Sequence, residues 1–344
     1  MNESVNSPGF LSKHAKDIVV IVLLALLVYV MVEQAVRFSL FGPAAFSYRQ
    51  MNSIKSLGRS GFVKASEYDE VVYDLKPGLD TEFKLVSFKT NSHGLRDKEY
   101  AVKKPPDTYR VAVVGGSFTM GAGVEIEDTF HSRLEDRLNR ESDGPAFEFI
   151  NFGVAGYTMR NKLAVLEHKI LKYNPDLVIL VLDGSQFTDE EFEEFVPKSK
   201  KSHFFTSYSF KLLKKIDIFK SRDEKAAEFI NEHMGHLNEL EDSITMLGEF
   251  SEEHGIPVCI VVLDHDYQHY KLGEKIGESV KASNLCFSNT LPAFKDTYFR
   301  DYTIYKVDMH PNAEANRKFA EAIYRDLKQE SLPNKSETRG VQDD

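Results

Sequence analysis

Four short apolar runs, each separated from the next by a helix-like segment, are the feature that most restricts the fold of this 344-residue chain. Their residues are almost all apolar rather than alternating with polar ones, as expected for strands buried on both faces of a sheet. Helices in the intervening segments would cover those faces. The pattern predicts an α/β fold, a three-layer α/β/α doubly wound parallel sheet. The four runs are Arg110–Val114, Phe147–Phe152, Leu177–Leu182 and Pro257–Leu263.

The helix-like segments carry apolar residues at helical spacing, which places one face of each against the sheet. Such stripes are predicted after the first strand, after the second, before the fourth and near the C-terminus. Their members are Phe130, Leu134 and Leu138; Leu163, Leu166 and Ile170; Ile230, Met234, Leu237, Leu240, Ile244, Leu247 and Phe250; and Phe319, Ile323 and Leu327.

A separate apolar run, Ile18–Val32, contains 15 residues without a polar side chain, and it extends to Phe38. Three interpretations compete: an uncleaved membrane anchor, a cleaved signal peptide and a buried core helix. Lys13 and Lys16 precede the run, but no Ala-x-Ala cleavage site and no cysteine for lipid attachment follow it. These features favour a single-pass anchor over 18–38.

The orientation of this anchor depends on the basic residues on its two sides, and their numbers are equal. Lys13 and Lys16 precede the apolar run, and Arg37 and Arg49 follow it. The short N-terminal tail favours a cytoplasmic N-terminus and a periplasmic or otherwise extracytoplasmic C-terminal domain. The predicted organisation is a tail (1–17), the anchor (18–38), a stalk with a small β extension (39–100), the α/β domain (101–328) and a disordered tail (329–344). The β extension rests on the runs Val71–Tyr73 and Phe83–Val86. An insertion at 188–225 is interpreted as a solvated helical excursion, with a lid or a membrane-facing element as the alternative.

The charge balance, the cysteines and a histidine-rich loop bear on nucleic-acid binding, disulfide formation and metal binding. With 43 basic and 53 acidic side chains, the net charge of −10 disfavours nucleic-acid binding, which needs a basic face. Cys259 and Cys286 are predicted to be buried thiols rather than a disulfide. A metal site could be formed by Asp264, His265, Asp266 and His269, but polar loop residues are the plainer interpretation, and no metal or cofactor is predicted.

A glycine-rich turn, Gly115–Gly123, follows the first strand and carries Ser117. A P-loop would need a lysine where Ala122 stands, and the dinucleotide-binding glycine spacing is also absent. The nucleophile elbow of α/β-hydrolases would need a glycine at Thr119. What remains is a serine on a tight turn, which can act as a nucleophile if a base reaches it.

The candidate base is His310, which precedes the last helix and follows Asp308 by two residues. A histidine at this place can accept the Ser117 proton, and a neighbouring aspartate can orient the imidazole and stabilise its charged form. All three residues fall beside predicted helix starts, where catalytic groups gather in doubly wound folds.

At these residues the sequence resembles the bacterial branch of the SGNH (GDSL-like) hydrolases over roughly residues 90–327. The resemblance rests on four blocks in family order: 109–121 around Ser117, 151–158 (NFGVAGYT), 174–180 (NPDLVIL) and 308–313 (DMHPNA). It implies that Ser117 is the nucleophile, His310 the base and Asp308 its orienting carboxylate. It also implies that the backbone N–H groups of Ser117 and Gly156 form the oxyanion hole.

Three positions depart from the family pattern. Gly116 replaces an aspartate before the serine, and Val307 stands three residues before His310, where the family has its aspartate. The oxyanion asparagine of the third block is replaced by either Ser185 or Gln186, depending on how the segment is aligned. Loss of one oxyanion donor costs roughly 10²–10³ in rate, so this departure concerns activity rather than fold.

The leading hypothesis is therefore a membrane-anchored serine esterase or deacylase that acts on an acylated saccharide or a small ester, without a cofactor. One alternative is an O-acyltransferase of the same fold, in which a sugar hydroxyl replaces water. Another is a catalytically impaired member that keeps the pocket for binding or as a scaffold. The sequence does not indicate which protein partners the chain has.

Overall fold

The computed structural model describes residues 14–55, 57–141, 144–183, 207–210, 224, 237–283 and 285–330. Three predicted features fall largely or wholly outside these residues. They are the oxyanion candidates Ser185 and Gln186, most of the insertion at 188–225, and the C-terminal tail.

The regular elements begin with a long N-terminal helix and continue with two small hairpins before the α/β domain. The strands are β1 (Val63–Ala65), β2 (Tyr73–Leu75), β3 (Asp80–Phe83), β4 (Val86–Lys89), β5 (Thr108–Val114), β6 (Ala146–Asn151), β7 (Leu177–Leu182), β8 (Val258–Val262), β9 (Cys286–Asn289), β10 (Thr303–Tyr305) and β11 (Asp308–Pro311). The α-helices are α1 (Ala15–Phe41), α2 (Tyr48–Ser53), α3 (Leu57–Ser60), α4 (Ser117–Met120), α5 (Phe130–Glu141), α6 (Met159–Val165), α7 (Leu237–His254), α8 (Tyr270–Ala282) and α9 (Ala313–Glu330).

The central sheet has five strands in the order β6-β5-β7-β8-β9, and all its neighbouring pairs are parallel. The predicted α/β fold class is therefore confirmed. The four predicted strands are present as β5, β6, β7 and β8, with bounds that differ by at most two residues. The fifth strand, β9, was not predicted, because its four residues include a serine and an asparagine and form no apolar run.

Helices cover both faces of this sheet. On one face the cluster around Ala112 and Val114 includes apolar side chains of α6, α7 and α8. On the other face the cluster around Val111 and Val113 includes those of α5 and α9. Because successive strand residues point to opposite faces, a strand buried on both sides must be apolar throughout. This requirement is why the sequence pattern identified the strands.

The N-terminal helix α1 stands apart from the sheet layers. Its apolar side chains from Ile18 to Val32 are exposed, and among the described residues it is the one helix long and apolar enough to cross a membrane. A signal sequence near an N-terminus meets the same criteria of length and apolar composition, so the helix is compatible with either an anchor or a signal sequence.

The C-terminal end of α1 is packed into the rest of the molecule. Phe41, Met51 and Tyr208 belong to a small apolar cluster that also includes Tyr305 and Leu85. The Phe41 ring lies 4.9 Å from the ring of Tyr208 and 5.3 Å from that of Tyr305, measured between centroids. The helix end is thus fixed to the hairpin β10–β11.

The predicted strands of the β extension are partly wrong. Of the run Val71–Tyr73 only Tyr73 lies in a strand, β2. The run Phe83–Val86 predicts a single strand, but β3 ends at Phe83, β4 begins at Val86, and Lys84 and Leu85 form the turn between them. Both turn residues have positive φ, +51° and +67°. Hairpin turns of this kind usually carry asparagine or glycine, so the sequence lacked the expected signal.

The predicted buried thiols are also wrong, because Cys259 and Cys286 form a disulfide. They are direct register partners on the adjacent strands β8 and β9, with Cα atoms 4.3 Å apart. The apolar pattern places Cys259 in a strand but gives no sign of β9. It therefore offers no reason to bring together two cysteines 27 residues apart.

Candidate active site

Ser117 lies at the C-terminal end of β5, as the first residue of the one-turn helix α4. It is half-buried. The turn is tight: a Cβ atom on Gly115 would collide with the side chain of Thr119. The glycine run before Ser117 therefore allows α4 to start directly at the sheet edge.

Asp308 and His310 form a hydrogen-bonded pair on β11. The Nδ1 atom of His310 lies 2.5 Å from Oδ1 of Asp308, and the His310 backbone N–H donates to the same oxygen at 3.1 Å. The strand separates the two residues by one position, so their side chains leave the same face. The shortened Asp-x-His spacing thus still supports an oriented imidazole, with Nε2 left for a substrate or nucleophile.

The structure places the Ser117 turn against this pair. Helix α4 contacts β11, and the ring of Phe118 lies 5.8 Å from the imidazole of His310. No hydrogen bond joins the Ser117 hydroxyl to His310 within the described part of the chain. Catalytic hydrogen bonds are often long in unliganded enzymes and tighten when substrate binds.

The backbone N–H groups of Ser117 and Gly156 were the implied oxyanion donors. Gly156 has φ of +88° in the loop after β6, and that loop is tied to the Ser117 turn by a hydrogen bond from Val154 N–H to the Gly115 carbonyl, 3.2 Å. Neither N–H donates a hydrogen bond to another described residue. Both are therefore available to an acyl oxygen, whereas Ser185 and Gln186 lie outside the described residues.

Lys84 is a part of the site that the sequence pattern does not reveal. Its ammonium group pairs with Oδ2 of Asp308, the oxygen that His310 does not use. The strained turn that carries Lys84 is held by Ser53, whose carbonyl accepts the Lys84 N–H at 2.8 Å and whose hydroxyl accepts the Leu85 N–H at 3.0 Å. A charged lysine at an uncommon positive φ is thus positioned over the candidate catalytic carboxylate.

The pKa of Asp308 reflects these two partners. Burial raises it, but the hydrogen bond and charge of His310 together with the charge of Lys84 outweigh burial and hold the pKa well below its usual range. Asp308 is therefore a carboxylate at every pH at which the protein is expected to work.

We expect Lys84→Met to lower the free energy of unfolding by about 2 kcal/mol at pH 7, because it leaves a largely buried carboxylate without its cation. A carboxyl group with a depressed folded-state pKa stabilises the fold above its unfolded-state pKa, near 4, and loses that contribution as the pH falls through the acid range. The deficit of the variant should therefore be constant above about pH 5, begin to shrink near pH 4 and continue to shrink as the pH falls further. Urea titrations followed by far-ultraviolet circular dichroism measure both values.

Lys89→Met is the matched control on the same hairpin. Lys89 pairs with Asp80 at 3.2 Å, but both side chains are about two-thirds exposed, and such pairs contribute less than about 1 kcal/mol. A Lys84 variant as stable as the Lys89 variant at pH 7 would contradict the pairing with Asp308.

Arg96 holds the chain that follows Ser117. Its buried guanidinium donates to the carbonyls of Met120 at 2.7 Å and Val124 at 2.6 Å, and also to that of Gly121. Burial lowers the pKa of Arg96 to about 10, so it remains a cation at neutral pH. Arg96 could not be identified from the sequence, because nothing local connects it to carbonyls 24 or more residues away.

The side chain of Lys162, a residue of α6, reaches the end of β7, next to the block in which the family asparagine was expected. Its fully buried ammonium donates to the Val181 carbonyl at 3.0 Å and lies 3.9 Å from Oδ1 of Asp183. Burial lowers the pKa of Lys162. The pair fixes the backbone at the last described residues before Ser185.

A second aspartate–histidine pair lies after β8. Nδ1 of His269 is 2.6 Å from Oδ2 of Asp264, and the buried His265 ring lies 5.9 Å from the ring of Phe118. Burial lowers the pKa of His265. Among the described residues, no group of three or more histidine, cysteine or acidic side chains is arranged to hold a metal ion.

A cavity of about 400 Å³ lies between α6 and α7, near Thr158, Leu163 and Met246. None of the candidate triad residues lines it. The cavity is therefore separate from the candidate active site.

Comparisons with known proteins place the chain beside several esterases in fold. No protein-family model and no curated protein matches it. The crystal structure of TesA is 14% identical with a TM-score of 0.40, over 64% of this chain and 98% of that one. A catalytic mutant of Axe2, an acetylxylan esterase from Geobacillus stearothermophilus, is 14% identical with a TM-score of 0.42, over 64% and 94% of the two chains.

A third similar structure is a two-domain esterase, CEX, active on acetylated mannans. It is 18% identical with a TM-score of 0.41, over 66% of this chain and 51% of that one. The similarity to these three structures is one of fold.

Proposed function

We propose that this chain is a serine esterase of SGNH type that hydrolyses an O-acyl ester. The observation that carries the proposal is the placement of Ser117, on a tight turn at the sheet edge, against the hydrogen-bonded pair of Asp308 and His310. Nucleophile, base and orienting carboxylate then come from two elements far apart in sequence, as in other serine hydrolases.

In this mechanism the Ser117 hydroxyl attacks the acyl carbonyl while His310 Nε2 accepts its proton. Asp308 stabilises the imidazolium through Nδ1. His310 then returns the proton to the departing alcohol, which leaves an acyl group on Ser117. A water molecule, deprotonated by His310, releases the acid and restores the enzyme.

The developing oxyanion would accept hydrogen bonds from the N–H groups of Ser117 and Gly156. The unused donor capacity of both groups supports this role, since preorganised donors stabilise the transition state more than the ground state. Ser185 or Gln186 would supply a third donor.

We further propose that 18–38 anchors the protein in a membrane, with the stalk and β extension (39–100) and the esterase domain (101–328) on the extracytoplasmic side. The disulfide between Cys259 and Cys286 supports this orientation, because structural disulfides persist in oxidising compartments and are rare in the cytosol. The pairing of Lys84 with Asp308 supports counting the β extension as part of the catalytic unit.

A fluorophosphonate probe tests the proposal on the detergent-solubilised full chain. We expect one covalent adduct, mapped by mass spectrometry to the peptide that contains Ser117, and release of acetic acid from 4-nitrophenyl acetate. Acid release should not change when a sugar acceptor is added. Diversion of the acetyl group to the sugar would indicate an acyltransferase instead, and a folded protein that neither labels nor releases acid would indicate a non-catalytic role.

A further inference from the structure

Three exposed aromatic side chains surround the end of α1. Phe38, Phe46 and Tyr48 are 53%, 65% and 59% exposed, and the rings of Phe38 and Phe46 lie 6.0 Å apart. We call them the aromatic collar. They continue the exposed apolar surface of α1 past its last turn, and contiguous exposed apolar surface of this kind marks an interaction site.

The length of the apolar run indicates what the collar contacts. Ile18–Val32 has 15 residues, a helix of about 22 Å, whereas the hydrocarbon core of a bilayer is roughly 30 Å thick. Lys16 and Asp17 limit the run on its N-terminal side. The missing length corresponds to about five residues, which brings the helix to Arg37 on its C-terminal side.

The two charged residues at this end, Glu33 and Arg37, pair with each other, so they can enter the edge of a membrane. Arg37 donates to Glu33 at 2.9 Å, and Glu33 also accepts backbone N–H groups from Tyr208 at 2.7 Å and Ser209 at 3.0 Å. Charged groups at membrane depth require such internal pairing. Phe38, Phe46 and Tyr48 then fall in the headgroup layer, where aromatic side chains are enriched.

The same helix end is connected to the candidate catalytic pair. Phe41 packs on Tyr305, which is the cross-strand partner of Asp308. The Tyr305 hydroxyl donates to the Lys84 carbonyl, and the Lys84 ammonium pairs with Asp308. Three successive contacts therefore lead from the end of α1 to the carboxylate that orients His310.

We propose that the aromatic collar lies in the headgroup layer of the bilayer that holds α1, and that the ester substrate is an amphiphile resident in that bilayer. The collar and the contacts of Phe41 hold the Asp308–His310 hairpin at the membrane surface, where an acylated headgroup is presented at high local concentration. The substrate assignment rests on the esterase proposed above, whereas the position of the collar does not.

The absence of tryptophan from the chain makes the position of the collar measurable. We expect the single tryptophan of Phe46→Trp, in vesicles of phosphatidylcholine, to be quenched strongly when the acyl chains carry bromine atoms. Ala146→Trp is the matched control. Ala146 is an exposed residue at the start of β6, and it lies at the edge of the parallel sheet opposite to Ser117. It should not be quenched.

The substrate class is tested with two esters on the full chain in the same vesicles. One is 4-nitrophenyl acetate in water, and the other is an acetylated hexadecyl glucoside inserted in the bilayer. In the variant Phe46→Asp with Tyr48→Asp, we expect turnover of the inserted ester to fall at least about tenfold, because aspartate is expelled from the interface, while turnover of the soluble ester is retained. Ala146→Asp should change neither rate.

The outcomes separate the two proposals. Unquenched Phe46→Trp, or equal loss of both activities in the double variant, overturns the membrane-surface proposal even if the soluble ester is hydrolysed through Ser117. Quenched Phe46→Trp in a protein that hydrolyses neither ester and takes no fluorophosphonate supports the collar and overturns the esterase.

Discussion

Ser117→Ala is expected to reduce kcat/KM for ester hydrolysis by about 10⁴-fold or more, because the variant retains binding and oxyanion donors but no nucleophile. His310→Ala should cause a loss of similar size. The double variant should be no slower than either single one, since residues that act as one unit have strongly non-additive effects. Initial rates with 4-nitrophenyl acetate measure all three.

Ser283→Ala is the control for the serine substitution. Ser283 is the residue directly after α8, and among the described residues its hydroxyl donates to the Ser279 carbonyl of that helix. We expect no change in rate. A Ser117→Ala protein with the normal circular dichroism spectrum and more than about a tenth of the wild-type rate would be incompatible with the mechanism.

Arg96→Met is expected to lower the free energy of unfolding by about 4 kcal/mol or more. The buried Arg96 cation donates to four backbone carbonyls, those of Ser87, Met120, Gly121 and Val124. Each such charge-assisted bond contributes roughly 1.5–3 kcal/mol, and the substitution removes the Arg96 donors from the buried carbonyls of Met120 and Val124. Arg96→Lys should recover only part of the loss, because an ammonium group lacks the planar fork of a guanidinium. Urea unfolding followed by far-ultraviolet circular dichroism measures these differences.

Arg140→Met serves as the control, because Arg140 is exposed on α5 and donates to a carbonyl of its own helix. Its substitution should change stability by less than about 0.5 kcal/mol. An Arg96→Met protein within about 1 kcal/mol of wild type would mean that the guanidinium contacts with Met120 and Val124 contribute little to the fold.

The candidate triad could be assembled from the sequence only in part. Ser117 and His310 stand beside recognisable turns in a family order, and Asp308 is close enough in sequence to be paired with His310. The oxyanion role of Gly156 came from the same resemblance and remains a prediction. Lys84, by contrast, lies 224 residues from Asp308, in a segment whose pattern predicts a strand outside the catalytic domain.

The doubly wound sheet follows from local pattern, because a strand covered on both faces must be apolar at every position and a covering helix must be apolar on one face. That information lies within a short stretch of neighbouring residues. The disulfide of Cys259 with Cys286, the clamp of Arg96 and the pairing of Lys84 with Asp308 each join residues that local pattern treats as independent. Their contacts depend on which strands become neighbours and which turns meet at the sheet edge. Only the tertiary structure decides those pairings, since the free energy of a buried charge depends on the partners that the whole fold brings to it.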